Sequence, residues 1–155
     1  DKRADLGTSW RQIGYNDGAW ASGPGQLGFG EGDEATQLSA GPNNNRLLTA
    51  YFRRTFTVAN PAAVRSMAID FLRDDGGVVY LNGVEVARSN MPTGTITARS
   101  YATRGIWGTE EQTPVTFAVP PSALRPGTNT IAVEVHQNSR SSSDLSFDAR
   151  VVVQL

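Results

Sequence analysis

Asp74 and Asp75 are adjacent carboxylates that precede two glycines, Gly76 and Gly77. Carboxylate oxygens on a flexible turn are ligands that a hard cation such as calcium prefers. The competing interpretation is structural, because Asp and Gly favour β-turns in which the aspartate caps backbone amides. The residues alone leave both interpretations open. Together with Arg73, the two aspartates are candidates for contact with a ligand.

His136 is the only histidine, and the chain has no cysteine. Sites built from several imidazoles, cysteine–zinc sites and thiol chemistry are therefore excluded. The Gly-x-Ser-x-Gly pattern of serine hydrolases is also absent from the sequence. We expect His136 to lie on the outward face of a strand beside Glu134, where it makes hydrogen bonds and contributes to a ligand site. The chain is predicted not to be an enzyme.

Trp107 lies between Gly105 and Gly108 in a loop-like stretch, residues 104–108, that carries no recognised motif. The flat apolar ring of tryptophan stacks on the CH faces of sugar rings, while nearby polar groups bind the hydroxyls. Because tryptophan is mostly buried in folded proteins, the alternative is that Trp107 plugs one end of the fold. If one aromatic side chain is exposed for binding, Trp107 is the predicted one.

Short runs that alternate with period two are the main structural signal, and they are rich in Val, Ile, Phe, Tyr and Thr. Such runs between turns rich in glycine and proline are typical of an all-β sandwich or barrel. Asn82-Gly83 predicts a type I′ hairpin turn, since both residues tolerate positive φ. Single helical turns are predicted at residues 60–64 and 121–124, where prolines lead. The predicted strands are residues 51–58, 66–72, 78–81, 84–89, 115–119, 130–137 and 146–153.

Arg53 and Arg54 are neighbours in the first of these strands, so their side chains point to opposite faces. One of them shares a side with the phenylalanines of that strand. We expect that arginine to be buried and paired with a carboxylate, either Asp70 or Glu134, because an unpaired buried charge is costly.

Length, charge and composition limit the classes of function. A chain of 155 residues, 39% apolar and 19% charged, suits one globular domain over residues 1–155. The formal net charge of −1 offers no basic excess for nucleic acid, and no stretch approaches the length of a membrane span. The chain opens with Asp1-Lys2-Arg3 rather than an apolar signal region. We therefore expect a mature protein or a domain excised from a larger one.

A series of motifs runs through nearly the whole chain. The motifs are residues 6–11 (LGTSWR), 15–20 (YNDGAW), 23–30 (GPGQLGFG), 51–56 (YFRRTF), 73–83 (RDDGGVVYLNG), 134–137 (EVHQ) and 143–147 (SDLSF). In order and spacing they resemble the galactose-binding-like jelly-roll modules of secreted bacterial proteins such as hydrolases and metallophosphatases. The resemblance implies an all-β jelly-roll sandwich of two antiparallel sheets with about eight strands. It also implies that Trp10 and Trp20 pack the N-terminal segment onto the sandwich.

The resemblance implies a metal site as well. Modules of this kind hold a structural calcium near the junction of an N-terminal loop and the last strand, which makes Glu31, Asp33, Asp144 and Asp148 candidate ligands. The alternative is a solvated acidic loop, because calcium needs several oxygens to converge. The paired aspartates of the glycine-rich turn also resemble the loop of protective-antigen-type domains, in which calcium bridges protein and sugar.

These observations predict a non-catalytic carbohydrate-binding module of a secreted, extracellular bacterial protein, with a glycan as ligand and a catalytic domain of the same chain as neighbour. The predicted ligand contacts are Arg73, Asp74, Asp75, Trp107 and His136, on loops at one end of the sandwich. The alternative is a structural spacer or docking domain with no ligand of its own. Neither nucleic acid nor membrane insertion is expected.

Overall fold

The computed structural model describes residues 4–43 and 45–155, so the opening Asp1 to Arg3 lies outside the described residues. Nine strands and three short 3₁₀ turns follow one another in this part of the chain. No helix in it is long and apolar enough to cross a membrane. The strands are β1 Leu27–Phe29, β2 Thr36–Gln37, β3 Thr49–Val58, β4 Ser66–Arg73, β5 Gly76–Leu81, β6 Val84–Ser89, β7 Val115–Val119, β8 Gly127–His136 and β9 Leu145–Gln154. The turns are Ser9–Arg11, Pro61–Ala63 and Pro121–Ala123.

The strands predicted from period-two alternation are all present, with small differences at their ends. The hairpin between β5 and β6 is confirmed, with φ of 54° at Asn82 and 87° at Gly83. The two proline-led helical turns are confirmed as well, and Asn60 caps the first of them by accepting the N–H of Ala62 at 3.2 Å. Strands β1 and β2 were not predicted, because they are very short and lie among glycines and polar residues.

Two sheets stack face to face, which confirms the all-β sandwich. One sheet has the order β2-β1-β9-β4-β7 and the other the order β3-β8-β5-β6. All pairs are antiparallel except β1 with β2, which run parallel over a short stretch. The first sheet is therefore mixed, whereas two wholly antiparallel sheets were expected.

The main core lies between the sheets, where alternate side chains of β4 and β8 face each other. Ile69, Phe71 and Val135 are fully buried there, and Phe52 of β3 stacks on Phe147 of β9 at 4.0 Å between ring centroids. Each such side chain stabilises the fold by about 1.5–3 kcal/mol through removal of apolar surface from water. This core holds the strand ends, and hence the loops between them, in fixed positions.

The outer face of the four-stranded sheet is covered too. The N-terminal segment places Trp10 over Tyr51 and Tyr80, with ring centroids 4.7 and 5.8 Å apart. Met91 and Ala102, from the long segment between β6 and β7, complete this second apolar cluster. β5 and β8 are consequently buried on both faces, although period-two alternation predicts an exposed face.

This cover explains why the expectation for the adjacent arginines is wrong. Arg54 shares the side of the strand phenylalanines but is exposed. Arg53 points to the covered face, and its side chain is 2% exposed. Arg53 Nε donates to Asp17 Oδ2 at 2.9 Å, and its guanidinium also donates to the carbonyls of Trp10 and Gln12. Arg53 therefore ties the N-terminal segment to β3, and neither carboxylate expected as its partner contacts it.

Candidate functional site

Asp75 fastens two loops to the turn between β4 and β5. Its Oδ1 accepts the backbone N–H of Ile106 at 2.8 Å, and its Oδ2 accepts that of Asn138 at 2.7 Å. The carbonyl of Asp75 accepts a hydrogen bond from Asn90 Nδ2, which also donates to the carbonyl of Arg104. Both carboxylate oxygens of this buried residue bind backbone. The geometry therefore supports the structural interpretation for Asp75.

Asp74 is buried as well, and its backbone N–H donates to the carbonyl of Ser146 at 3.0 Å. Burial, together with the negative charges of Asp75, Asp144 and Glu111, raises the pKa of Asp74 to about 9. Its carboxyl group is consequently protonated at neutral pH. Asp74 and Asp75 were candidates for contact with a ligand, and both are buried because the loops before β7 and before β9 fold over the turn.

Stability should fall as the pH rises, because the folded state alone keeps a proton on Asp74 at neutral pH. An unfolded aspartate titrates near pH 4, whereas the pKa of Asp74 in the fold is about 9. The contribution of Asp74 to the free energy of unfolding is complete below the pKa that Asp74 has in the unfolded chain. It is lost as the pH rises through the pKa that Asp74 has in the fold. Between about pH 5 and pH 8 the free energy of unfolding should decrease by at most about 1.4 kcal/mol per pH unit.

Urea unfolding of the wild type and of Asp74→Asn across this range measures the effect. The neutral asparagine should flatten the profile and raise stability at alkaline pH, since no charge has to be buried. Parallel profiles for the two proteins would show that Asp74 is not the group responsible.

Glu31, Glu111 and Asp144 converge from three different loops. One carboxylate oxygen of each lies within 4.8 Å of the others. A hydrogen bond with Asp144, then burial and the charges of Glu111, Asp144 and Asp33, raise the pKa of Glu31. Carboxylate oxygens gathered at this spacing match the ligand chemistry of a hard divalent cation. The donor set therefore fits calcium.

Two of the four predicted metal ligands, Glu31 and Asp144, are brought together. Asp33 lines the adjoining cavity of about 300 Å³ but is outside the group of three. Asp148 is apart from them, since it lies on β9 beyond the loop and its Oδ1 accepts the backbone N–H of the next residue at 2.8 Å. Glu111 was not predicted as a ligand, because only the loop conformation brings it to the other two. The rest of the lining is mostly polar and includes Gln26, Gln112 and Ser146.

Trp107 is 74% exposed, whereas Trp10 is 1% exposed and Trp20 is half-buried. The prediction that Trp107 is the exposed tryptophan is confirmed. Its neighbours in sequence are both held by carboxylates, since Asp75 accepts the N–H of residue 106 and Glu111 Oε1 accepts the N–H of residue 108 at 2.9 Å. The indole is thus presented to solvent on a fastened loop.

Gly105 allows the indole to approach the rest of the loop closely. A Cβ at this position would lie 3.4 Å from Cζ3 of Trp107 and 2.9 Å from Nδ2 of Asn138. Arg104 Nη1 donates to the carbonyl of Gly105 at 3.2 Å, and its Nη2 donates to Glu110 Oε1 at 2.6 Å. An aromatic ring and a guanidinium therefore flank the same glycine.

Arg73 lies at the end of β4, beneath this loop. Its Nε donates to Ser89 Oγ at 2.7 Å, and its Nη2 lies 3.7 Å from Glu110 Oε1. Burial lowers the pKa of the Arg73 guanidinium, an effect that the nearby Glu110 opposes. Arg73 is therefore a buried cation at the base of the loop that carries the exposed indole.

His136 points away from the main core, as expected, but it is completely buried under the second apolar cluster. Its Nε2 lies 3.1 Å from Glu134 Oε2, and Glu134 Oε1 accepts the hydroxyl of Tyr80 at 2.6 Å. Its Nδ1 lies 2.8 Å from the carbonyl of Ser100 and 3.0 Å from Thr49 Oγ1. The expectation of a surface histidine is therefore corrected, since the N-terminal segment and the loop before β7 cover this face.

No family model matches the chain, and no curated protein matches it in sequence. Solved structures match its fold, and several of them are glycosidases. A beta-glycosidase from Bacteroides vulgatus matches over 95% of this chain and 18% of its own, with a TM-score of 0.50 and 19% identity. A calcium-binding mutant of Bacteroides uniformis beta-glucuronidase 2 matches over 90% of this chain and 16% of its own, with a TM-score of 0.51 and 16% identity. An α-L-rhamnosidase from Aspergillus terreus matches over 74% and 13%, with a TM-score of 0.51 and 16% identity.

At these identities the likeness shows the fold alone. The chain spans less than a fifth of the length of each of these three proteins. The matched region is therefore a small part of each of these chains, and the likeness supports the all-β sandwich.

Proposed function

We propose that the protein is a non-catalytic carbohydrate-binding module and that Trp107 is the surface on which the sugar ring stacks. The exposure of this indole carries the proposal. Tryptophan supplies a large apolar face together with a polar N–H, which suits a ligand that has both CH faces and hydroxyls. The polar and charged side chains of the same loop offer hydrogen bonds to those hydroxyls.

The way the loop is held also supports a binding role. Asp75 and Glu111 fix the backbone on either side of Trp107. A ring that is already positioned loses little conformational freedom when a ligand binds, so more of the contact free energy contributes to affinity. Asp75 therefore acts in binding as a positioning residue and not as a ligand contact.

The parent protein in this proposal is a secreted bacterial glycoside hydrolase or a related extracellular enzyme. The fold shared with parts of glycosidase chains and the galactose-binding-like motif series both support an accessory role. The module would hold a catalytic domain of the same chain near its polysaccharide, and it would have no active site of its own.

Trp107→Ala should weaken binding to the recognised polysaccharide by at least about tenfold, because the stacking surface is lost. Affinity electrophoresis through gels that contain soluble plant and microbial polysaccharides measures this change. Tyr101→Ala is the matched control, since Tyr101 is 45% exposed in the same long segment before β7, and it should migrate as the wild type does. If no polysaccharide retards the wild type, a spacer or docking domain becomes the better interpretation.

We also propose that Glu31, Glu111 and Asp144 bind calcium. Their carboxylates repel one another, and a bound divalent cation would offset this repulsion. The amide and hydroxyl groups that line the adjoining cavity are further oxygen donors of the kind that calcium uses. Calcium would thereby hold the three loops together.

Calcium should raise the melting temperature by several degrees relative to a chelator, because it binds only the native arrangement of the three loops. Differential scanning fluorimetry measures the shift. Glu111→Gln and Asp144→Asn should reduce or abolish it. Asp148→Asn should retain it, since Asp148 lies outside the group. Coincident melting curves for the wild type with calcium and with chelator would refute the calcium proposal.

A further inference from the structure

Arg73 and Arg104 share one carboxylate oxygen. Arg104 Nη2 lies 2.6 Å from Glu110 Oε1, and Arg73 Nη2 lies 3.7 Å from the same atom. Two further carboxyl groups lie near them. Asp75 already uses both oxygens to accept backbone N–H groups, and Asp74 is buried with its pKa raised, so it stays neutral. Among the described residues, two guanidinium charges therefore face one available carboxylate, and the pair has room for a second anion.

Arg73 is also incompletely hydrogen-bonded. Its side chain is 4% exposed, and its Nη1 is buried and makes no hydrogen bond with any residue that the structure describes. Buried donors are nearly always paired in folded proteins, and an unpaired donor on a charged group is especially costly. Ser89 and Glu110 therefore leave part of the hydrogen-bonding capacity of this guanidinium unused.

We propose that the sugar recognised at Trp107 carries a carboxylate, and that Arg73 and Arg104 bind that carboxylate while the indole stacks on the ring. This inference rests on the proposed carbohydrate-binding function and names its ligand class, a uronate. Arg104 and Trp107 flank Gly105 on the same loop, so the two contacts fall within reach of a single sugar residue. Guanidinium groups match the geometry of a carboxylate through paired hydrogen bonds.

Glu110 occupies part of this position in the free protein. Its side chain is 41% exposed on a surface turn, so it can swing aside when another carboxylate arrives. A uronate would take the place of the Glu110 carboxylate between the two guanidiniums. Glu110 is then an internal competitor, and removing its charge should strengthen uronate binding.

The test compares trigalacturonate with its trimethyl ester by isothermal titration calorimetry in millimolar calcium, because esterification removes the carboxylate charges and keeps the sugar chain the same. The wild type should bind the acid at least about tenfold more tightly than the ester. Arg104→Gln should bring the ratio of the two affinities close to one, and Glu110→Gln should raise the affinity for the acid several-fold. Arg104 is the residue to change first, because its side chain is 55% exposed and its loss should not unfold the protein.

Arg140→Gln is the control for general attraction of anions, since Arg140 is exposed on the loop before β9 and its guanidinium contacts Asn45. It should leave the preference for the acid intact. Equal affinity for acid and ester, or an equal loss in Arg140→Gln and Arg104→Gln, would overturn the uronate assignment. If the ester or another neutral glycan binds through Trp107 and the acid binds no more tightly, the uronate assignment fails and the proposed carbohydrate-binding function stands. If no glycan binds, both proposals fail.

Discussion

Replacing Trp10 with alanine should lower the free energy of unfolding by about 3 to 5 kcal/mol, the range for truncating a large buried aromatic residue. Trp10 is 1% exposed and packs against Tyr51 and Tyr80 on the outer face of the four-stranded sheet. The substitution would leave a cavity between that face of the sheet and the N-terminal segment. The hydrogen bonds of Arg53 and the packing of Tyr15 and Trp20 would still hold the segment.

Urea unfolding followed by circular dichroism measures this loss. Trp107→Ala is the matched control, because it removes the same side chain from a site that is 74% exposed. The control should change stability by less than about 0.5 kcal/mol. Similar losses in the two variants would contradict the assignment of Trp10 to a packed cluster and of Trp107 to an open surface.

Asp75→Ala should cost about 3 kcal/mol, because it leaves one buried and one partly buried backbone N–H group without an acceptor. The groups belong to residues 106 and 138, in the two loops that flank the candidate site. Glycan binding should weaken as well, since the backbone before Trp107 is no longer fixed. Asp75→Asn should be milder than Asp75→Ala, since the amide keeps one acceptor oxygen.

Urea unfolding and affinity electrophoresis of the same preparations test both effects. Asp33→Ala is the control, since it removes an exposed acidic side chain from a neighbouring loop. It should unfold at the same urea concentration as the wild type. A loss below about 1 kcal/mol in Asp75→Ala would mean that the two loops are held by other contacts.

The strands could be predicted from the sequence because each depends on a local pattern. Alternation of apolar side chains predicted the long strands, and Asn82-Gly83 predicted the hairpin with its positive φ values. Alternation assigns side chains to two faces, but it does not show what covers each face. For this reason the outward direction of Glu134 and His136 was predicted and their burial was not.

The candidate site depends on contacts between loops that are distant in sequence. The sequence singled out Trp107, because glycines flank it and no strand pattern includes it, but it left open whether the ring is exposed or plugs the end of the fold. The structure shows that the ring is exposed. Glu111 was missed as a partner of Glu31 and Asp144, since no local pattern relates a residue before β7 to loops before β2 and β9. The burial of Asp74 and Asp75 likewise follows from the way those loops fold over the turn.

The position of β9 has a consequence for how the chain folds. β9 lies between β1 and β4 in the five-stranded sheet, and it pairs Phe147 with Leu27 and Val151 with Ile69. During synthesis on the ribosome, β1 and β4 emerge long before the strand that joins them. Until then each keeps an open edge, which can pair wrongly with other strands. Closure of the sheet must therefore follow the synthesis of β9, and folding should be slow for a domain of this size because its pairings join strands that are far apart in sequence.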